Sequence, residues 1–135
     1  MSEAQVNDEI RRLIEMPRRE FEALVADLYR ALGHQAVCTH AVDSNAAHVI
    51  VQAINGQKWI VQCRQWRGAV GETVVREFLA LMDREQAAQG AIITTAKFTP
   101  RARDQAEGKP LHLYDGDEFS QAIRRIRSRK NPVGG

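Results

Sequence analysis

The chain has 135 residues, 44% of them hydrophobic and 27% charged, proportions that suit one globular domain and exclude a disordered chain. No apolar run approaches the ~20 residues of a membrane span, and the polar start, MSEAQVNDEIRR, lacks the apolar stretch of a signal peptide. The net charge of +2 is uneven: without Arg124, Arg125, Arg127, Arg129 and Lys130 the body carries 14 basic against 17 acidic residues, so a nucleic-acid surface must be a local patch or the tail.

Residues 3–15 read as a short helix with Ile10, Leu13 and Ile14 as its apolar positions. Pro17 suits the first turn of a second helix, in which Phe21, Leu24, Val25, Leu28, Tyr29 and Leu32 recur at helical spacing. Gly33 follows where a left-handed cap would sit. Residues 35–42 read as a strand, Asp43 to Asn45 as a loop, and 47–54 as a second strand. Asn55-Gly56 is a strong hairpin signal. The return strand, 57–65, places Trp59, Val61 and Cys63 on one face and Ile60, Gln62 and Arg64 on the other. A second long helix spans 72–88, with Val74, Val75, Phe78, Leu79, Leu81 and Met82 as its buried stripe. Residues 91–95 form a short buried strand. Thr99 caps a helix that has Pro100 at its first position and ends near Gly108, and 111–114 is the last strand. Asp115 to Glu118 open a final helix that runs into the basic tail, and Asn131 to Gly135 are expected to be disordered.

The order α-α-β-β-β-α-β-α-β-α, a hairpin followed by β-α-β units, implies an α/β fold with a mixed sheet between helices. Aromatics are only 6%, so the core rests on Val, Ile, Leu and Ala. Cys38 and Cys63 have no metal-type spacing and make no disulfide framework, so a reducing cytoplasm is the expected setting.

Four segments in order carry a more specific reading. They are EFEALVADLYRALG (20–33); Val61-Gln62-Cys63-Arg64 with the basic, glycine-containing loop and Val75-Arg76-Glu77 after it; GAIITTAKFT (90–99) with Ala102 beyond; and LYDGDE (113–118). Together they resemble the catalytic domain of Mrr-type restriction endonucleases, of the PD-(D/E)xK nuclease superfamily, over residues 17–124. The resemblance implies a restriction-endonuclease-like mixed sheet of about five strands flanked by helices. Residues 1–16 would be a helical extension and 125–135 a flexible basic tail. It also implies DNA as partner and a homodimer, since two strands must be cut. Only the first sixteen residues precede the match, so no separate recognition domain is expected.

In that family an aspartate ending the second strand and a Glu or Gln on the third hold Mg²⁺, which activates a water. A lysine two residues further on orients the nucleophile and offsets charge on the phosphate. Position by position, the aspartate falls on His48, the Glu or Gln on Gln62 and the lysine on Arg64. The glycine-rich loop falls on Ser44 to Ala47, which has no glycine. The resemblance brings Glu22 to the same pocket, the one carboxylate carried over as a metal ligand. A neutral imidazole is a poor Mg²⁺ ligand. Arg64 can clamp a phosphate but cannot act as a base. Each residue also has a plainer reading: His48 bonded to its strand neighbours, Arg64 in a salt bridge with Glu22 or Glu77, and Glu22 an ion-paired helix residue.

Lys58, Arg64, Arg67 and Arg76 set four basic residues against one acid, Glu72, over 58–76, the best phosphate-binding patch in the chain. Trp66 lies among them, either to stack on bases or to pack on the second long helix. Lys97, with Thr94, Thr95 and Thr99, offers a phosphate contact or a polar cap. The tail RRIRSRK suits nonspecific nucleic acid or the solvated end of a helix. The reading adopted is an Mrr-type domain that is catalytically inactive or impaired and retains DNA or protein binding. One alternative is an active endonuclease using Mg²⁺ or Mn²⁺, with its carboxylates moved to Glu22, Asp43 or Glu72. The other is a structural or interaction module that binds no DNA, which the body charge of −3 favours. No membrane partner is expected, and no cofactor unless the site is active.

Overall fold

Ser2 starts the first helix: its hydroxyl accepts from the Gln5 N–H, and the Gln5 side chain accepts from the Ser2 N–H. The computed structural model describes residues 2–130 and follows the element order expected from the sequence. α1 is Glu3–Glu15, and α2, Arg18–Ala31, follows Pro17, which is the cap and not the first helical residue. α2 ends into Gly33 at φ +98°, where a side chain would be strained and a Cβ would lie 2.8 Å from Ile54 Cδ1.

The strands β1 (Gln35–Cys38), β2 (Val49–Gln52), β3 (Lys58–Arg64), β4 (Gln89–Thr94) and β5 (Leu111–Tyr114) lie side by side in that order. β1–β2 and β2–β3 are antiparallel; β3–β4 and β4–β5 are parallel. The β2–β3 hairpin turns with the Gly56 N–H donating to the Ala53 carbonyl at 2.9 Å and Gly56 at φ +86°. The parallel pairs are joined through α3 (Glu72–Glu85) and α4 (Pro100–Ala106), and α5 (Gly116–Lys130) closes the described chain.

Alternation along the strands makes two cores. Val49, Val51, Val61, Ala91 and Ile93 pack with Phe21 and Val25 of α2, Leu13 of α1, and Phe119 and Ile123 of α5. Ile60 and Ile92, with Leu111 and Leu113, face Val75 and Phe78 of α3 and Ala102 of α4.

Several boundaries differ from the expectation. β1 stops at Cys38, not 42, because His40 sits at φ +58° and breaks the extended run. Residues 39–48 are then a long connection to a β2 that starts at Val49. α3 stops at Glu85 because Gln86, at φ +53°, takes the left-handed cap a glycine would usually take. β4 starts earlier, at Gln89, and takes in Gly90. The basic run expected as a flexible tail from 125 is helical as far as Lys130, with Ile126 buried on the core. Residues 131–135, expected to be disordered, lie outside the described residues. Among the described residues no helix is long and apolar enough to cross a membrane.

Candidate functional site

β3 runs out of the hairpin into the loop before α3, and its last residues meet the connection 39–48. His48, Gln62 and Arg64 come together there, all buried at 4% exposure or less. The His48 N–H donates to the Val61 carbonyl at 2.8 Å. Its Nδ1 accepts from the Cys63 N–H at 2.9 Å, so Nε2 carries the ring proton and donates to the Asp43 carbonyl at 3.0 Å. Gln62 donates to the Ala46 carbonyl through Nε2 (3.3 Å) and accepts from Arg64 Nε through Oε1 (2.8 Å). Arg64 Nη2 donates to Asn45 Oδ1 at 2.9 Å, and the guanidinium lies 4.6 Å from the Trp66 ring centre.

Each of the three family positions therefore holds one residue of the 43–46 loop: His48 holds Asp43, Arg64 holds Asn45 and Gln62 holds Ala46. The loop is tied further by Thr39, whose hydroxyl donates to the Ala47 carbonyl, and by Arg18 Nη1 on the Val42 carbonyl. The Asp43 carboxylate accepts from the Asn45 N–H at 2.9 Å. Arg64 makes no salt bridge with Glu22 or Glu77: two neutral amides hold it. Burial pulls its guanidinium below the ordinary value, and the fields of Glu77 and Asp43 oppose that. Trp66 does not pack away on α3; it stays 38% exposed against Arg64. Sequence reasoning missed Asn45 as a partner of Arg64 and named Trp66 among the basic residues without pairing the two; only the loop's lack of glycine hinted that it is held by side chains.

Glu22 is 1% exposed, with both carboxylate oxygens sealed and without a hydrogen-bond partner; Arg18 Nε is 3.7 Å away. Its field reaches the thiols of Cys38 and Cys63, and Cys63 alternates with Gln62 and Arg64 along β3. Burial, with Glu22 adding to it, pushes the Cys63 thiol well above its usual range. The residues present do not suit Mg²⁺ or Mn²⁺. Both His48 nitrogens are engaged by backbone, the Gln62 oxygen accepts from a cation, and Glu22 is not part of that network. Among the described residues, no three His, Cys, Asp or Glu side chains are grouped to hold a metal.

The predicted basic patch is dispersed. Lys58 begins β3 while Arg64 ends it, and Lys58 pairs with Glu85 at 3.1 Å. Glu72 pairs with Arg76 at 3.2 Å and Arg101 at 3.5 Å. Lys97 donates to Asp117 at 2.7 Å, which raises the lysine's pKa. Arg67 is exposed and has no ion pair among the described residues. Arg67 and Lys97 line one cleft of about 350 Å³, which Thr95 and Asp117 line as well. Thr95 donates to the Trp66 carbonyl at 2.7 Å, Thr94 accepts from the Ala96 N–H, and Thr99 caps α4 at the Ala102 N–H. The threonines thus shape the loop.

A hairpin feeding two parallel crossovers, with Gln62 and Arg64 of the third strand meeting His48 just before the second, defines a restriction-endonuclease-like α/β domain. The chain belongs to the Mrr_cat restriction endonuclease family, which matches residues 13–123. It is 25% identical over 127 residues to the type IV methyl-directed restriction enzyme EcoKMrr of Escherichia coli (strain K12), covering 88% of this chain and 42% of that protein. Among solved structures it resembles the DNA modification-dependent restriction endonuclease AspBHI, with a TM-score of 0.76 and 15% identity over 96% of this chain and 37% of the other. It also resembles the MspJI restriction endonuclease in complex with a 27-mer oligonucleotide, with a TM-score of 0.69 and 18% identity over 100% of this chain and 34% of the other. The chain thus spans less than half the length of these relatives.

Proposed function

We propose that this Mrr-type domain binds DNA without cutting it, its family site having become a clasp for the 43–46 loop. The observation that carries this reading is that His48, Gln62 and Arg64 each engage a different residue of that loop. A divalent ion would need oxygens that are already committed, and Arg64 cannot give up a proton to a nucleophile. DNA as partner is supported by the family and by the oligonucleotide-bound MspJI relative. The free charge of Arg67 beside Lys97, next to the clasp, is where a backbone phosphate would be met. The exposed Arg125, Arg127 and Arg129 of α5 add a nonspecific contribution. Residues 17–124 are the working unit, in a cytoplasm where Cys38 and Cys63 stay as thiols. The homodimer implied by the resemblance serves cleavage of two strands, and binding without cutting does not depend on it.

The test is plasmid cleavage in Mg²⁺ and in Mn²⁺, with the wild type beside His48→Asp/Arg64→Lys, and mobility shift of a duplex in EDTA. The wild type should bind in EDTA and leave the plasmid intact. Wild-type cleavage abolished by Glu22→Ala would overturn the reading in favour of migrated carboxylates. Absence of any duplex binding would favour the interaction-module alternative.

A further inference from the structure

All four phenylalanines are buried in the two cores, yet both tyrosines, Trp59 and two of the four histidines line a single cleft. The cleft lies between the end of α2 and the starts of β3 and β4, with β5 along one side and the sheet as its floor. Trp59 is five residues from Arg64 on β3, roughly 17 Å at about 3.3 Å per residue, and on the opposite face. The cleft is therefore separate from the family site.

Its chemistry is aromatic, polar and uncharged. No Asp, Glu, Lys or Arg lines it. His34 Nδ1 accepts from the Ile54 N–H at 3.1 Å, so its Nε2 carries the proton, and that donor has no partner among the described residues. The hydroxyls of Tyr29 and Tyr114 have no partner there either, and neither oxygen is sealed from solvent. Burial, reinforced by Tyr114, pushes the Tyr29 phenol far up, so it remains a protonated donor. Both tyrosines are half-buried, so their rings are held while their hydroxyls stay open to whatever enters the cleft. Two solvent-reached hydroxyls and an imidazole N–H, all without a protein partner in one cleft among the described residues, suit a ligand that carries both donors and acceptors. The Trp59 ring is held by Nε1 donating to Gln57 at 3.0 Å, with His34 at 4.7 Å and Tyr29 edge-on at 6.5 Å. At about 250 Å³ the space takes one planar ring system and not a peptide.

We infer that this cleft binds an uncharged planar heteroaromatic ring, a nucleobase, against Trp59, with Tyr29, Tyr114 and His34 reading its polar edge. Its source is either a free base or nucleoside, or an unpaired base of a strand. The test uses the full chain with Trp66→Phe, which leaves Trp59 as the one tryptophan. Its fluorescence is titrated with adenosine, guanosine, cytidine and thymidine, and separately with a single-stranded oligonucleotide. Saturable quenching by a nucleoside, independent of salt, is expected, and Tyr29→Phe or Tyr114→Phe should weaken it about tenfold. Quenching by the strand alone, still weakened by Tyr29→Phe, identifies the strand as the source. Each phenylalanine variant keeps its ring and loses only an unpartnered hydroxyl, so the fold is retained, which a melting curve checks. No saturable change in either arm, or quenching that both variants leave intact, overturns the inference.

Discussion

A buried imidazole that accepts from one backbone N–H and donates to one carbonyl cannot be removed without stranding both. His48→Ala should lower stability by about 3 kcal/mol in urea denaturation, from two orphaned backbone groups and a cavity. A loss below ~1 kcal/mol would mean that water replaces the ring. Glu22 predicts the opposite sign, since its oxygens are sealed and unbonded. Glu22→Gln should be neutral or stabilising by about 1 kcal/mol, and a loss above ~2 kcal/mol would contradict the geometry. The thiols give a pH dependence. Burial raises Cys63 well above the ordinary thiol range and raises Cys38 as well. A thiol held above its unfolded value binds its proton more tightly in the native state. Its contribution is intact below the unfolded pKa of about 8.5 and is lost as pH climbs through the folded value. Stability should therefore fall above about pH 9, and Cys63→Ala should flatten that fall; unchanged stability from neutral pH to 10 would refute it. At this scale the family alignment was informative about which positions meet. It was silent on the contacts of Asn45, whose role arises only when a distant loop folds onto β3, and on the stacking of Trp66 on Arg64 two residues before it.

Elements with a strong period were legible: the apolar stripes of α2 and α3, the Asn55-Gly56 turn, and the Thr99-Pro100 start of α4. What escaped were ends set by non-glycine residues in left-handed backbone, His40 and Gln86, because residue type alone does not mark a non-glycine position for that conformation. Gly90 carries the element-scale prediction. A Cβ there would lie 2.6 Å from Phe78 Cε1 and 2.8 Å from Met82 Sδ, so α3 would have to lift off β4. Gly90→Ala should cost about 2 kcal/mol, read as a lower melting temperature; an unchanged melt would show that the Phe78 ring simply turns aside.

Over the whole molecule, composition excluded a polycation, and the structure disperses the basic residues further by pairing Lys58, Arg76 and Lys97 with acids. The pairs of Lys58 and Lys97 were not legible, because Glu85 and Asp117 are remote from them in sequence, whereas Glu72 lies one helical turn from Arg76. Arg67 is left as the free charge beside the clasp. Arg67→Ala should weaken duplex binding evenly across sequences and reduce the slope of log affinity against log salt by about one. An unchanged slope would move the contact elsewhere, with the exposed arginines of α5 next in line.

The bond from the Cys63 amide to His48 Nδ1 has one more consequence. Backbone amides in a sheet donate to oxygen, whose common isotope is magnetically silent, but this one donates to nitrogen. In a ¹⁵N-labelled sample the two nuclei are joined by a scalar coupling that crosses the hydrogen bond. A single cross-peak would report the ring tautomer directly, and with it that Nε2 carries the proton offered to the Asp43 carbonyl.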